Sequence, residues 1–359
     1  MLFALPVQTG VARALDAAAV QEQSIPLGPG ADPSVVRRDG WFVDVQSGPD
    51  ARSLQVRRSR TLAGLAGAAP RTVWRGGQSG SPCCELWAPE LQWLRGRWII
   101  TYAADDGANR DHRLYQLEAD RPEGPWRWRG LLRTPEDRWA IDGTILELPD
   151  GRLYLLWSGW PGPDNGVQNL YIAALRDPFT VTGPRTLLST PTYPWERMGE
   201  RPAAGAVEAL PRVNEGPAAL VRGGRVFVSY SASGCWTSHY ALGLLQADAG
   251  ADLLQASAWR KSVAPVFTSN PAARMIAPGH NAFVRSADGR ADWLVYHATT
   301  DPAGHCGARR QLWAQRLSWR ADGAPQFGQP VAAPSAPAAP FAPAAPAVPS
   351  ASSPLSARR

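Results

Sequence analysis

The sequence predicts an all-β fold, a five-bladed β-propeller over residues 29–330. Two observations carry this. A unit of strand, Gly-containing turn and strand recurs five times. Gly and Pro each supply 34 of the 359 residues, a density of turn formers that suits many short strands. Helical signals are confined to short stretches near 65–69 and 251–257. A β-sandwich of similar strand density is the alternative architecture.

The five turns are Asp39-Gly40, Arg95-Gly96, Asp150-Gly151, Gly223-Gly224 and Asp288-Gly289. Asp-Gly and Gly-Gly between apolar runs favour hairpins, because a type I′ turn needs positive φ at both central residues. An alternating apolar run follows each turn, for example Trp98-Ile99-Ile100-Thr101-Tyr102 and Val226-Phe227-Val228-Ser229-Tyr230. Another run precedes each, at 33–36, 91–94, 144–148, 217–221 and 282–284. The turn glycines are 56, 55, 73 and 65 residues apart, and each interval can hold one four-stranded antiparallel sheet.

Outside this region the composition changes. Residues 331–359 are rich in Pro and Ala and read as a disordered tail. Residues 1–28 form an N-terminal segment whose Ala-rich start resembles a weak or truncated signal, because Gln8 and Thr9 interrupt the apolar run and the only early base is Arg13. The expected location is extracellular or periplasmic. No stretch is long and apolar enough to span a membrane.

The net charge is +6, but its arginines are scattered, without a basic run interleaved with aromatics, so nucleic acid is not the expected partner. Lys261 reads as a surface position. Cys83, Cys84, Cys235 and Cys306 lack zinc-type spacing. Adjacent Cys83 and Cys84 are expected not to bond each other, and one bridge between distant loops is expected in an oxidising compartment.

The chemistry is expected just before each turn, where polar residues recur: Asp32, Glu90, Asp142, Glu215 and His280. In a propeller the first strand of each blade lines the axis, so the starts of these strands converge at one mouth. Converging, partly buried carboxylates raise the pKa of at least one of them. A raised carboxylic acid beside an ionised carboxylate is the equipment of glycoside hydrolysis. The sixteen tryptophans fit a sugar site, since aromatic faces stack on sugar C–H faces.

The runs Ala31-Asp32-Pro33-Ser34, Trp87-Ala88-Pro89-Glu90, Ile141-Asp142-Gly143, Asn214-Glu215-Gly216-Pro217 and Gly279-His280-Asn281 together resemble glycoside hydrolase family 43. The resemblance covers the folded region, and its later motifs, including Ser257-Ala258-Trp259-Arg260-Lys261, are most similar to the exo-acting α-L-arabinofuranosidases. It implies inversion at the anomeric carbon, with Asp32 as general base, Glu215 as general acid and Asp142 tuning Glu215. Inversion places the base and acid roughly 6.5–9.5 Å apart. The resemblance gives Glu90 a structural role and points Arg310 at the bound sugar, with Arg309 as the alternative register.

Trp87 is expected to be a sugar platform, as is Trp160, whose place in the loop Trp160-Pro161-Gly162-Pro163 argues against core packing. His280 has three readings: a hydrogen-bond partner for Asp142 or Glu215 across the axis, a ligand to a water-held structural Ca²⁺ in the channel, or a core histidine. No cofactor is expected for the chemistry itself. His112, His239, His297 and His305 read as structural. The inserts 159–169 and 191–206 are expected to wall the pocket. The expected function is release of terminal α-L-arabinofuranose from arabinan or arabinoxylan, by a monomer acting on plant cell-wall polysaccharide. The alternatives are a β-xylosidase, a non-catalytic carbohydrate-binding propeller, and a fructosyl-transferring relative that retains configuration.

Overall fold

The computed structural model describes residues 24–200, 210–307 and 309–331. The expected leader, all but the first residue of the expected tail and the 201–206 part of one insert lie outside the described residues.

The described residues are all-β, with only short 3₁₀ turns such as Ala63–Gly67 and Ala256–Ala258. Four antiparallel arrays follow in chain order. The first runs Ser34–Arg38, Trp41–Ser47, Ser53–Ser59 and Arg71–Arg75. The second runs Cys84–Leu94, Arg97–Asp105, Arg113–Ala119 and Arg127–Leu131. The third runs Ala140–Glu147, Leu153–Gly159, Val167–Asp177 and Thr180–Ser189. The fourth runs Arg212–Arg222, Arg225–Ala232, Ala241–Asp248 and the short Arg260–Lys261. A short parallel pairing, Val167 with Arg212 and Gln168 with Val213, joins the third and fourth into one sheet. A last array pairs Ile276–Arg285, Asp292–Thr299 and Gln311–Trp319, and Ser24–Pro29 adds to it beside Gln311–Trp319. The start of the described chain is thus bonded to its end.

Each of the five Gly turns joins the first and second strand of an array. Asp39-Gly40, Arg95-Gly96 and Gly223-Gly224 have positive φ at both residues, as a type I′ turn requires. Buried side chains fill the space between neighbouring arrays. Leu54 and Val45 share a buried cluster with Leu91 and Ile100, Leu155 shares one with Ile99, and Val228 shares one with Leu156. Leu294 shares a cluster with Phe227, and Val295 shares one with Val35. Each such fully buried Leu or Phe stabilises the fold by about 1.5–3 kcal/mol. Most tryptophans serve these layers or lie under arginines, as Trp93 does under Arg38 and Trp319 under Arg222, so their number is not a sugar-binding signal.

Two sequence expectations are corrected here. Cys83 and Cys84 do bond each other, and the second bridge joins Cys235 to Cys306, 71 residues apart. Lys261 is not a surface lysine: its ammonium lies 2.7 Å from the buried Glu196 carboxylate, with Tyr193 and Tyr230 rings around it. Among the described residues no helix is long and apolar enough to cross a membrane.

Candidate active site

The first strands of the second to fifth arrays share an irregularity at the same height. Pairing slips between Trp87 and Glu90, Ile141 and Thr144, Glu215 and Ala218, and Gly279 and Ala282. Each slip is a β-bulge, which leaves one extra residue to bend the strand and re-aim its side chains. Within each bulge one residue has positive φ: Ala88, Asp142, Gly216 and His280. Asp32, two residues before Ser34 in the first array, has the same conformation. Positive φ in non-glycine residues is uncommon and clusters where surrounding structure holds it for a purpose. At position 216 glycine is favoured, since a Cβ would lie 3.0 Å from the His280 ring and force it to shift.

The bulges correct the alignment of the acidic residues. Asp32, Asp142 and His280 are true equivalents. Glu215 lies one residue earlier in its array, beside Gly216. Glu90 lies two residues later, level with Ser34 and Thr144, and so sits deeper. Its Oε2 accepts a 3.1 Å bond from the Ser34 hydroxyl, which itself accepts from the Leu91 N–H. Glu90 lines an open pocket of about 210 Å³ together with Ser34, Gln92, Thr144, Ala218 and Ala282. Burial and the nearby Asp32 charge push its carboxyl up to about 8, against the Ser34 bond.

Asp32 is surrounded by cationic and imidazole groups. Arg310 Nη1 donates to its Oδ1 at 2.9 Å, and the Nδ1 atoms of His280 and His297 lie 3.4 and 3.2 Å from the same oxygen. His297 Nδ1 also lies 3.2 Å from the Asp32 backbone N–H. Burial alone would raise the Asp32 carboxyl, but Arg310 and the two histidines outweigh it and hold it well below the usual carboxylate range. Burial, with Arg310 nearby, in turn lowers His297 to about 4, so the imidazole is neutral at pH 7. Burial also lowers His280.

Glu215 has the opposite company. Its Oε1 accepts the Tyr240 hydroxyl at 2.8 Å, and Asp142 Oδ2 accepts the Gly216 N–H at 2.8 Å. Burial pushes Glu215 up to about 7; the Asp32 charge adds to this, while Tyr240 and Arg310 oppose it. Burial and the Glu215 charge also raise Asp142 well above its ordinary value. Asp142 therefore bonds the backbone beside Glu215, which fixes how that side chain leaves the strand.

A web of buried bonds holds this strand. The Ser158 hydroxyl donates to the Asn214 carbonyl, and Ser189 donates to Asn214 Oδ1. Asn214 Nδ2, the Tyr230 hydroxyl and Lys261 all donate to Glu196, which is fully buried.

A cavity of about 680 Å³ opens beside Asp32, lined also by Arg310, Trp87, Gln46, Arg57 and Cys306. Trp87 is half-buried, stacked 4.1 Å from the His112 ring, with its Nε1 on Glu85. Arg310 is the arginine of the site, since Arg309 pairs with Asp301 and is exposed. Trp160 is a correction. It is 3% exposed, stacked at 4.7 Å on Trp139, and belongs to the core layer. The 160–163 segment lines a separate groove with Arg110 and Glu136 rather than the Asp32 cavity. His280 Nδ1 lies 3.4 Å from Asp32 rather than on Asp142 or Glu215 as its first reading expects, while its Nε2 is buried without a hydrogen-bond partner. Among the described residues no three His, Cys, Asp or Glu side chains are placed to hold a metal.

Two site residues were not legible beforehand. His297, read as structural, sits on Asp32, and Tyr240 sits on Glu215. Both lie outside the repeated segment before each turn, so no spacing in the sequence marks them.

The family model for "Glycosyl hydrolases family 43" matches residues 24–325. The chain is 38% identical over 316 residues to an extracellular exo-alpha-(1->5)-L-arabinofuranosidase of Streptomyces avermitilis; the match takes in 84% of this chain and 62% of that protein, so the chain spans under two thirds of that relative. It is 38% identical over 301 residues to a protein of the same name from Streptomyces chartreusis, covering 82% of this chain and 87% of that one. Among solved structures it superposes on an alpha-L-arabinofuranosidase from Lactobacillus brevis with a TM-score of 0.79 and 37% identity, over 88% of this chain and 99% of the other.

Proposed function

The chain belongs to glycosyl hydrolase family 43, and on that premise we propose that it is an inverting glycosidase releasing terminal α-L-arabinofuranose from arabinan or arabinoxylan side chains. The observation that carries this reading is the opposite company of two carboxyls in one site: Arg310 and two imidazoles on Asp32, the Tyr240 hydroxyl and the neighbouring Asp142 carboxyl at Glu215. Asp32 is held ionised while Glu215 is held protonated close to neutrality.

In this reading Asp32 is the base. Its Oδ1 takes the contacts from Arg310, His280 and His297, which leaves Oδ2 for a water. Oδ2 accepts that water's proton as the water attacks the anomeric carbon. Glu215 is the acid. Oε1 is taken by Tyr240, so Oε2 donates its proton to the glycosidic oxygen as the bond breaks on the opposite face. Asp142 tunes Glu215 by charge and through the Gly216 N–H. Trp87 and Arg310 face the sugar from the cavity.

The five antiparallel arrays, packed neighbour on neighbour and joined end to start by Ser24–Pro29, support a five-bladed propeller whose catalytic domain begins at Ser24, five residues before the expected start at 29, and runs to about residue 330. The two disulfides and the relatives' names support an extracellular or periplasmic location, and in this reading the protein acts as a monomer on plant cell-wall polysaccharide. A structural Ca²⁺ would take His280 Nε2 as its protein ligand and otherwise water; its charge would help hold the channel carboxyls in place.

A panel of aryl glycosides tests the reading. Aryl α-L-arabinofuranoside should be cleaved fastest, with β-configured arabinose as the first product by NMR. Asp32→Asn and Glu215→Gln should each lose roughly a hundred- to ten-thousandfold in kcat. Preference for aryl β-xyloside would select the β-xylosidase, product of retained configuration would select the transferase relative, and heat of binding without product would select the non-catalytic binder.

A further inference from the structure

The base side and the acid side are carried by different arrays, yet one covalent bond links them. Arg310, which bonds Asp32, lies four residues after Cys306 at the start of the last long strand. Tyr240, which bonds Glu215, lies five residues after Cys235 at the start of Ala241–Asp248. Cys235 is bonded to Cys306 and packs on the small apolar cluster of Tyr240, Ile276 and Ala277. The two segments also touch through backbone. A Cβ at Gly304 would lie 2.1–2.5 Å from Thr237 C and O and Ser238 N, so glycine alone permits this approach. Gly304 has positive φ as well. Cys306 and Gly307 line the cavity beside Asp32.

We propose that the Cys235–Cys306 bridge is a positioning clamp, registering the segment that holds Arg310 on Asp32 against the segment that holds Tyr240 on Glu215. It thereby sets base and acid at their working separation. The consequence for rate rests on the inverting-glycosidase reading; the consequence for structure does not. A loop displacement of about 1 Å near reacting groups can cost a hundredfold in rate.

The test compares wild type, the double variant Cys235→Ala/Cys306→Ala, and Gly304→Ala, which keeps the bridge but wedges the two segments apart. Cys83→Ala/Cys84→Ala serves as the control. Each is assayed for kcat on an aryl α-L-arabinofuranoside, for its pH profile, and for amide exchange at 233–240 and 301–310. The clamp predicts that kcat of the double variant and of Gly304→Ala falls roughly ten- to a hundredfold. Their pH limbs move and exchange quickens in both segments, while the control stays within about twofold. A folded double variant with unchanged rate, limbs and exchange overturns the clamp. If the double variant does not fold, Gly304→Ala decides. If the wild type cleaves no arabinofuranoside, the proposed activity fails and the exchange data alone decide the clamp.

Discussion

Asp32 and Glu215 occupy one site, and burial acts on both in the same direction, yet they end in opposite states. Around Asp32 stand a guanidinium and two imidazoles, all aimed at one oxygen. Around Glu215 stand a hydroxyl and a second carboxyl, Asp142, itself raised well above its ordinary value by burial first and by its proximity to Glu215 second. Burial by itself favours the neutral form of any carboxyl; neighbouring charge decides whether that preference survives. The difference between base and acid is therefore a difference of company.

The largest expected break in this comparison is Arg310→Ala. Without the guanidinium, burial of Asp32 is opposed only by the histidines, and its carboxyl rises. Since Asp32 acts ionised, the acidic limb of the kcat/KM profile should move up by about 1–3 pH units. Arg310→Lys should restore part of the shift. An unmoved limb would show that Arg310 does not hold the base.

Tyr240→Phe should act on the other side and less strongly. Tyr240 donates to the ionised form of Glu215, so removing the hydroxyl raises Glu215 further above its value of about 7. Glu215 acts protonated, and activity is lost as pH rises through its pKa. The alkaline limb should therefore move to higher pH, with a fall in kcat of roughly tenfold from lost orientation. A limb that moves to lower pH would contradict the assigned bond.

Glu90→Gln should affect the rate least. Glu90 is partly buried like the other two, but among the described residues it bonds only Ser34. Its folded value of about 8 lies above its ordinary 4.5, so the folded state binds the proton more tightly. The stability tied to that proton is complete below about 4.5 and is lost as pH rises through about 8. Gln cannot ionise, so thermal melting should match wild type near pH 5 and exceed it near pH 9, with kcat within about threefold. Equal melting at both would mean that water reaches Glu90 and relieves its burial.

The repeated turns were readable because Asp39-Gly40, Arg95-Gly96 and Gly223-Gly224 must supply positive φ locally, whatever the rest of the chain does. The candidate carboxyls were readable because they precede those turns. Their exact equivalence was not, because a bulge adds a residue that no composition rule reveals; Glu90 moved two places for that reason. Trp160 looked like a loop residue by its Pro and Gly neighbours, yet Trp139, 21 positions earlier, buries it.

Strand alternation, turn chemistry and the order of Asp32, Asp142 and Glu215 were thus settled by the sequence, since each depends on near neighbours in the chain. The protonation states, the pairing of Cys235 with Cys306, and the places of His297, Tyr240 and Lys261 were decided only by tertiary structure. Asp32 and Arg310 are 278 residues apart, and an interaction of charges depends on distance in space, which folding alone defines.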